Sequence, residues 1–129
     1  MADLTLDATS RTPTVTLRAA TSRLVIAGES YPEDVTGFYL PISRAIDQYF
    51  EAGQRRLDIE IRLIYFNSSS ARALTNLLDS LETRAAAGAI VTIDWYCDDD
   101  DDITREFAED IADDLEHIRL TVRAMKRDG

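Results

Sequence analysis

The sequence predicts an α/β fold in which a mixed sheet carries three helices mainly on one face, and three observations predict it. Runs in which apolar and polar residues alternate, the period of a strand, are interleaved with runs in which apolar residues recur every three or four positions, the period of a helix. The first two alternating runs are joined by a short polar link, which makes a hairpin, whereas later ones are separated by helix-length segments, which implies right-handed crossovers between parallel strands. The alternating runs also keep polar residues at every second position, among them Asp58, Glu60, Arg62, Thr92, Asp94, Arg119, Thr121 and Arg123. A parallel sheet covered on both faces would be apolar on both, so one face is expected to stay open.

Taken in order, residues 1–13 are polar, show no period and end in Pro13, and read as a loose lead-in. Val15 and Leu17 alternate with Thr14, Thr16 and Arg18, and Leu24 and Ile26 with Arg23 and Val25, across a link at Ala19 to Ser22. Gly28 to Pro32 ends the second strand, and Pro32, Glu33 and Asp34 open a helix whose inner stripe is Val35, Phe38, Tyr39, Ile42, Ala45, Ile46, Tyr49 and Phe50. Gly53 stops it. Pro41 falls inside this pattern and predicts either a kink or a helix that begins near Leu40.

Leu57, Ile59, Ile61 and Leu63 form the buried face of a strand running to about Phe66. A second helix follows with Ala71, Leu74, Leu77, Leu78, Leu81 and Ala85 inward and Arg72, Asn76, Asp79, Ser80, Glu82 and Thr83 outward, ended by Gly88. Ile90 to Tyr96 is a strand with Val91, Ile93 and Trp95 on one face. The acidic run Asp98 to Asp102 leads into a third helix with Ile103, Phe107, Ile111 and Leu115 inward. Ile118, Leu120 and Val122 mark a last strand before a frayed basic tail from Met125 to Gly129.

At 129 residues the chain suits one domain spanning 1–129. Its 24 acidic against 14 basic residues give a net charge of −10, which repels nucleic acid and anionic lipid, so neither is expected as a partner. No apolar run approaches a bilayer span and the N-terminus lacks the pattern of a signal peptide, which points to the cytoplasm. Cys97 is the single cysteine, which excludes an internal disulfide and a paired-thiolate zinc site, and it reads as a half-buried strand-end residue.

The chemistry-bearing feature is the strand-to-helix junction at Asn67, Ser68, Ser69 and Ser70. Asn and Ser accept hydrogen bonds from the unpaired amides that open a helix, and the positive end of the helix dipole favours an anion or a covalent phosphate. Capping alone accounts for a Ser at a helix start, so the residues by themselves favour a structural role. Three consecutive hydroxyls exceed what one cap needs, however, and the surplus must face solvent or a partner. The sole histidine, His117, lies far along the chain and supplies no base, so a catalytic triad is not indicated and the protein is read as non-enzymatic. The junction lacks the glycines and lysine of a phosphate-cradling loop, and Asp98 to Asp102 lacks the spacing, glycine and closing glutamate of a calcium loop; no cofactor or metal is implied. Trp95 and Tyr96 read as core and edge packing, and His117 as structural.

Gly28-Glu29-Ser30-Tyr31-Pro32-Glu33, then Gly53 with Leu57 to Leu63, and above all Tyr65-Phe66-Asn67-Ser68-Ser69-Ser70, continued by Leu77, Leu78, Leu81, Gly88 and Trp95-Tyr96, give the chain a resemblance over nearly its whole length. It resembles the SiaC family of regulatory phosphoproteins, small α/β domains with an architecture like that of the STAS domains of anti-sigma-factor antagonists. The resemblance implies a single STAS-like domain working as a partner switch. A cognate Ser/Thr kinase phosphorylates the hydroxyl residue directly after the Asn, a PP2C-type phosphatase removes the phosphate, and the unmodified form binds and activates a diguanylate cyclase, controlling cyclic-di-GMP signalling and biofilm formation. Carried onto this chain, the acceptor falls on Ser68, with Ser69 the alternative, and the partner surface on Tyr65, Asn67, Ser68, Ser69, Ser70 and Arg72. The Asp98 to Asp102 run matches no family motif. Two other readings remain: a STAS-like antagonist that binds an anti-sigma kinase, and a domain that binds a small anion or nucleotide at Asn67.

Overall fold

The structure is a computed structural model that describes residues 3–125. Six strands, β1 (Leu4–Leu6), β2 (Thr14–Arg18), β3 (Arg23–Ser30), β4 (Arg56–Phe66), β5 (Ile90–Cys97) and β6 (Arg119–Ala124), form one sheet in strictly sequential order. The first three are antiparallel, and β3 through β6 are parallel. Helices α1 (Val35–Glu51), α2 (Ser68–Ala86) and α3 (Asp102–Asp114) occupy the three crossovers. Because the strand order advances in one direction and crossovers share one hand, all three helices fall on the same face.

Alternation along the strands then sorts the side chains. Leu24, Ile26, Leu57, Ile61, Leu63, Ile93 and Trp95 are almost fully buried and meet Ile42, Tyr49, Leu74, Leu78, Leu81 and Ala108 from the helices in one core. The other face stays bare, as expected from the sequence, and its charges neutralise one another both along β4 and across neighbouring strands. Arg23 and Arg62 both pair with Glu60, Arg56 pairs with Asp58 at 3.1 Å, and Arg123 pairs with Asp94 at 2.8 Å. Thr92 donates to Asp58 at 2.6 Å, and the Arg62 guanidinium lies 3.7 Å above the Tyr96 ring. Each such pair is worth little to stability, but together they keep a parallel sheet soluble without a second helical layer.

Residues 1–2 of the lead-in lie outside the described residues, but residues 3–6 are tied to the sheet. Leu4, Thr5 and Leu6 pair with Leu17, Thr16 and Val15, Leu4 and Leu6 pack against the core, and the Asp3 carboxylate accepts the Ala19 amide at 2.8 Å. A three-residue strand is too short to show a period. The helix expected to kink or to start near Leu40 runs from Val35 as one element, capped by Asp34, whose Oδ1 accepts the Gly37 amide at 3.0 Å. Pro41 and Gly37 are both exposed, so the carbonyl that loses its donor faces water, while Tyr39, Ile42, Ile46 and Tyr49 hold the helix to the core on either side.

In α3 the inner face is Thr104, Ala108 and Ile111, with Phe107 and Leu115 half-buried, and Ile103 points outward at 81% exposure instead of into the core. The cap decides this, since Asp101 accepts both the amide of Thr104 at 3.0 Å and its hydroxyl at 2.6 Å, drawing Thr104 inward. Cys97 is buried at 2% exposure, deeper than the half-buried position expected of it. Residues 126–129 of the tail lie outside the described residues, and Met125 is tied back by its amide donating to the Cys97 carbonyl at 2.8 Å.

The last crossover is fastened by Glu82, which the helical period assigns to the outer side of α2. Its carboxylate accepts the amides of His117 and Ile118 at 2.8 and 3.0 Å and contacts His117 Nδ1 at 2.7 Å. Burial alone would raise the Glu82 carboxyl, but these hydrogen bonds outweigh it and hold the group below its ordinary value. A depressed folded-state value means stability that is present above the unfolded pKa of about 4.3 and is lost as pH falls through the folded one. Thermal unfolding followed from pH 7 into the acid range should therefore show a shallower acid loss in Glu82→Gln than in the parent protein, and identical slopes would remove Glu82 from this role.

Candidate functional site

The site is made where β4 passes into α2, and an irregularity in β4 shapes it. Gly28 of β3 stands opposite Leu63, but Glu29 stands opposite Tyr65, leaving Ile64 unmatched. One extra residue reverses the facing of all that follow. Ile64 and Tyr65 therefore both emerge on the open side, 66% and 52% exposed, while Phe66 turns back onto the rings of Phe107 and Trp95 at 5.1 and 6.4 Å. Gly28 permits the shift, since its φ of +124° is one that side-chain-bearing residues rarely adopt. Tyr65 packs edge-on against Tyr31 at 5.7 Å, and the Tyr31 hydroxyl donates to the Ser10 carbonyl at 2.7 Å, so the lead-in also braces this end of the sheet.

Asn67 is the cap of α2. Its backbone is extended, its Oδ1 accepts the Ser70 amide at 2.9 Å, and its own amide donates to the Ser30 carbonyl at 3.2 Å. The three hydroxyls then part company. Ser68 and Ser69, the first two helical residues, are exposed, whereas Ser70 is wholly buried. Ser30 Oγ donates to Ser70 Oγ at 2.9 Å and accepts from the Tyr39 hydroxyl at 2.6 Å, a buried chain that ties the end of β3, α1 and the start of α2 together. Burial raises the Tyr39 phenol above its ordinary value, against the opposing effect of the Ser30 and Ser70 contacts, and keeps it a donor.

Of the residues the sequence groups at this turn, the structure brings Tyr65, Ser68, Ser69 and Arg72 to the surface, half-buries Asn67 and withdraws Ser70. The Ser70 side chain is accordingly a structural element in this structure and offers no surface to a partner. Sequence reasoning missed Ile64 as a surface residue. The signal was there, since Leu63, Ile64, Tyr65 and Phe66 break the strict alternation of the seven residues before them. No acidic residue lies in the first turn of α2 itself, which leaves the positive end of its dipole unopposed from within the helix.

The remaining polar groups have structural employment. His117 is held by Glu82, which lies in the C-terminal part of α2, away from the serines. In the acidic run, Asp101 caps α3, Asp98 Oδ1 accepts the Asp100 amide at 3.2 Å, and Asp102 pairs with Arg105 at 3.0 Å. Among the described residues no group of His, Cys, Asp and Glu side chains is placed to hold a metal ion, and no helix is long and apolar enough to cross a membrane.

Comparison with known proteins places this site in context. A family model described as SiaC family regulatory phosphoprotein matches residues 6–125. An uncharacterized protein of Pseudomonas aeruginosa strain UCBPP-PA14 is 32% identical over 114 residues, covering 88% of this chain and 90% of its own length. The crystal structure of apo-SiaC from Pseudomonas aeruginosa superposes with a TM-score of 0.89 at 30% identity, covering 96% of this chain and 100% of that one. A chain in the crystal structure of the diguanylate cyclase SiaD in complex with its activator SiaC, from the same species, gives a TM-score of 0.89 at 29% identity, covering 95% of this chain and 100% of its own.

The split among the serines sets distinct expectations for stability. Ser70→Ala strips a buried acceptor from Ser30 and should cost about 1–3 kcal/mol, and Asn67→Ala should cost about 1 kcal/mol through the lost cap. Ser68→Ala and Ser69→Ala should stay within about 0.5 kcal/mol of the parent. Denaturant unfolding of the four variants checks this order.

Proposed function

Since the chain belongs to the SiaC family of regulatory phosphoproteins, we propose that it is a partner switch whose unmodified form binds and activates a diguanylate cyclase. Ser68 is the phosphoacceptor in this reading, a cognate Ser/Thr kinase adds the phosphate, a PP2C-type phosphatase removes it, and the output is cyclic-di-GMP level and with it biofilm formation. The observation that carries the reading is the exposure of the hydroxyl directly after the capping Asn67, at the first helical position, beside the exposed Ile64 and Tyr65. The relative seen with a diguanylate cyclase is described as that enzyme's activator, which supplies the class of partner.

The physics of the switch follows from that position. A phosphoserine brings about −1.5 to −2 charges at pH 7, and the start of a helix stabilises an anion by roughly 0.3–1 kcal/mol, so the fold tolerates the modification. In a contact, by contrast, the same dianion must be desolvated with no partner waiting for it, and even one buried unpaired polar group costs about 1–3 kcal/mol. Since about 1.4 kcal/mol is tenfold in affinity, one phosphate suffices to release the partner.

Peptide mass mapping after incubation with the cognate kinase and ATP should place the phosphate on Ser68, and modification confined to Ser69 or to a residue away from the turn would overturn the assignment. Purified cyclase should bind Ser68→Ala and the unmodified protein alike, bind Ser68→Asp more weakly, and bind the phosphorylated protein at least tenfold more weakly, with cyclic-di-GMP production following affinity. Equal binding of modified and unmodified protein, or activation by the phosphorylated form alone, would reverse the proposed sense of the switch.

A further inference from the structure

The end of the sheet away from Ser68 carries a cleft that the partner switch leaves unused. It lies between the turn that leads from α1 into β4 and the turn that leads from α2 into β5. Phe50, Gln54, Arg55, Arg84, Ala87 and Ala89 line about 160 Å³ of space there. The two turns are fastened to each other, since the Ile90 amide donates to the Arg55 carbonyl at 2.8 Å. Gly88, at a φ of +113°, leaves room for the Arg55 side chain, because a Cβ at that position would stand 3.4 Å from Arg55 Nη2.

The charge of this cleft is opposite to that of the molecule. The chain carries a net charge of −10, yet no acidic side chain lines the cleft and two guanidinium groups do. Among the described residues no carboxylate pairs with Arg55. Arg84 gives one nitrogen to Asp47 at 3.2 Å, and its guanidinium lies 5.4 Å from the centre of the Phe50 ring, which holds it over an apolar floor. The helix ends do not occupy these groups either. The carbonyls of Thr83, Arg84 and Ala85 accept the amides of Ala87, Ala89 and Gly88, and those of Gln48 and Phe50 accept the amides of Ala52 and Gly53. Each helix end adds about half a negative charge, which two full guanidinium charges outweigh.

We propose that this cleft binds a small phosphate monoester, with Arg55 and Arg84 donating to the phosphate oxygens and Phe50, Ala87 and Ala89 lying against its carbon part. The planar fork of arginine matches phosphate geometry. Two such forks offer more N–H groups than the two oxygens of a carboxylate can accept, whereas a phosphate divides three oxygens between them, and Gln54 adds an amide at the rim. Size sets the rest of the class. Clefts that enclose drug-sized ligands measure about 300–1,000 Å³, so this one takes the phosphate and a few carbons and leaves no room for a nucleoside. The 19 residues of α2, roughly 27 Å of helix, separate the cleft from Ser68, and the inference does not rest on the partner-switch reading.

The test is an amide NMR titration of the full-length protein in phosphate-free buffer at low salt, with inorganic phosphate, glycerol 3-phosphate and acetate as probes. Both phosphates should shift the amides of Arg55, Gly88 and Ala89 saturably and leave those of Ser68 to Ser70 in place, while acetate binds at least tenfold more weakly. Arg55→Gln should weaken phosphate binding about tenfold or more while melting like the parent, because that guanidinium holds nothing else in the fold. Arg44→Gln removes the same charge from an exposed position outside the cleft and should bind phosphate as the parent does. The site is refuted if neither phosphate shifts those amides saturably, if Arg55→Gln binds like the parent, or if Arg44→Gln loses as much as Arg55→Gln. Acetate binding as tightly as phosphate would overturn the ligand class.

Discussion

The unmatched residue at Ile64 is the constraint on which the rest of this end of the molecule depends. Without it, Tyr65 would point into the helix layer and Phe66 out of it, because successive strand residues alternate faces. With it, Phe66 joins Trp95 and Phe107 in an aromatic cluster, with ring separations of 5.1 to 6.4 Å, that fixes α3 against the sheet. The chain leaves β4 at Asn67, whose amide reaches the Ser30 carbonyl across the β3–β4 ladder and whose side chain starts α2. A positive φ at Gly28 and one extra residue in β4 thus decide both what is buried beneath the turn and what is presented above it.

The two faces of the sheet show how a chain of this length builds an α/β fold with one layer of helices. Sequential strand order with crossovers of one hand puts every helix on one face, and a largely parallel sheet bare on the other must be made wettable. Here the polar half of each strand does so through paired charges such as Asp94 with Arg123 and Asp58 with Arg56. Those positions cannot be made apolar without creating an adhesive surface, which is the physical reason the alternation in the sequence is so regular.

That regularity made much of the fold legible. The hairpin, the order of helices and strands, and the single covered face all follow from period and polarity at residues such as Leu57 to Leu63. What was not legible depended on contacts between distant segments. β1 is visible only through its pairing with β2, and the outward turn of Ile103 follows from the Asp101 cap drawing Thr104 in. At the site, the Asn and Ser residues marked the helix start correctly, but only the structure separates Ser70, held by the Ser30 hydroxyl that also bonds Tyr39, from its two neighbours. No spacing rule distinguishes three adjacent serines, because which one turns inward depends on where β3 and α1 place their own hydroxyls.

The separation matters for how a switch at this turn can work. The buried hydroxyl chain and the Asn67 cap hold the backbone of the turn from below, independently of the exposed side chains at positions 68 and 69. A group added to an exposed residue therefore finds the helix already nucleated and capped, and gains or loses only local electrostatic energy. A group added to Ser70 would have to break the contact with Ser30 and open the junction of β3, α1 and α2, which is a folding event rather than a surface event. The fold thus assigns structural and surface roles to hydroxyls two residues apart, so that the exposed side chains at 68 and 69 can change without disturbing the framework beneath.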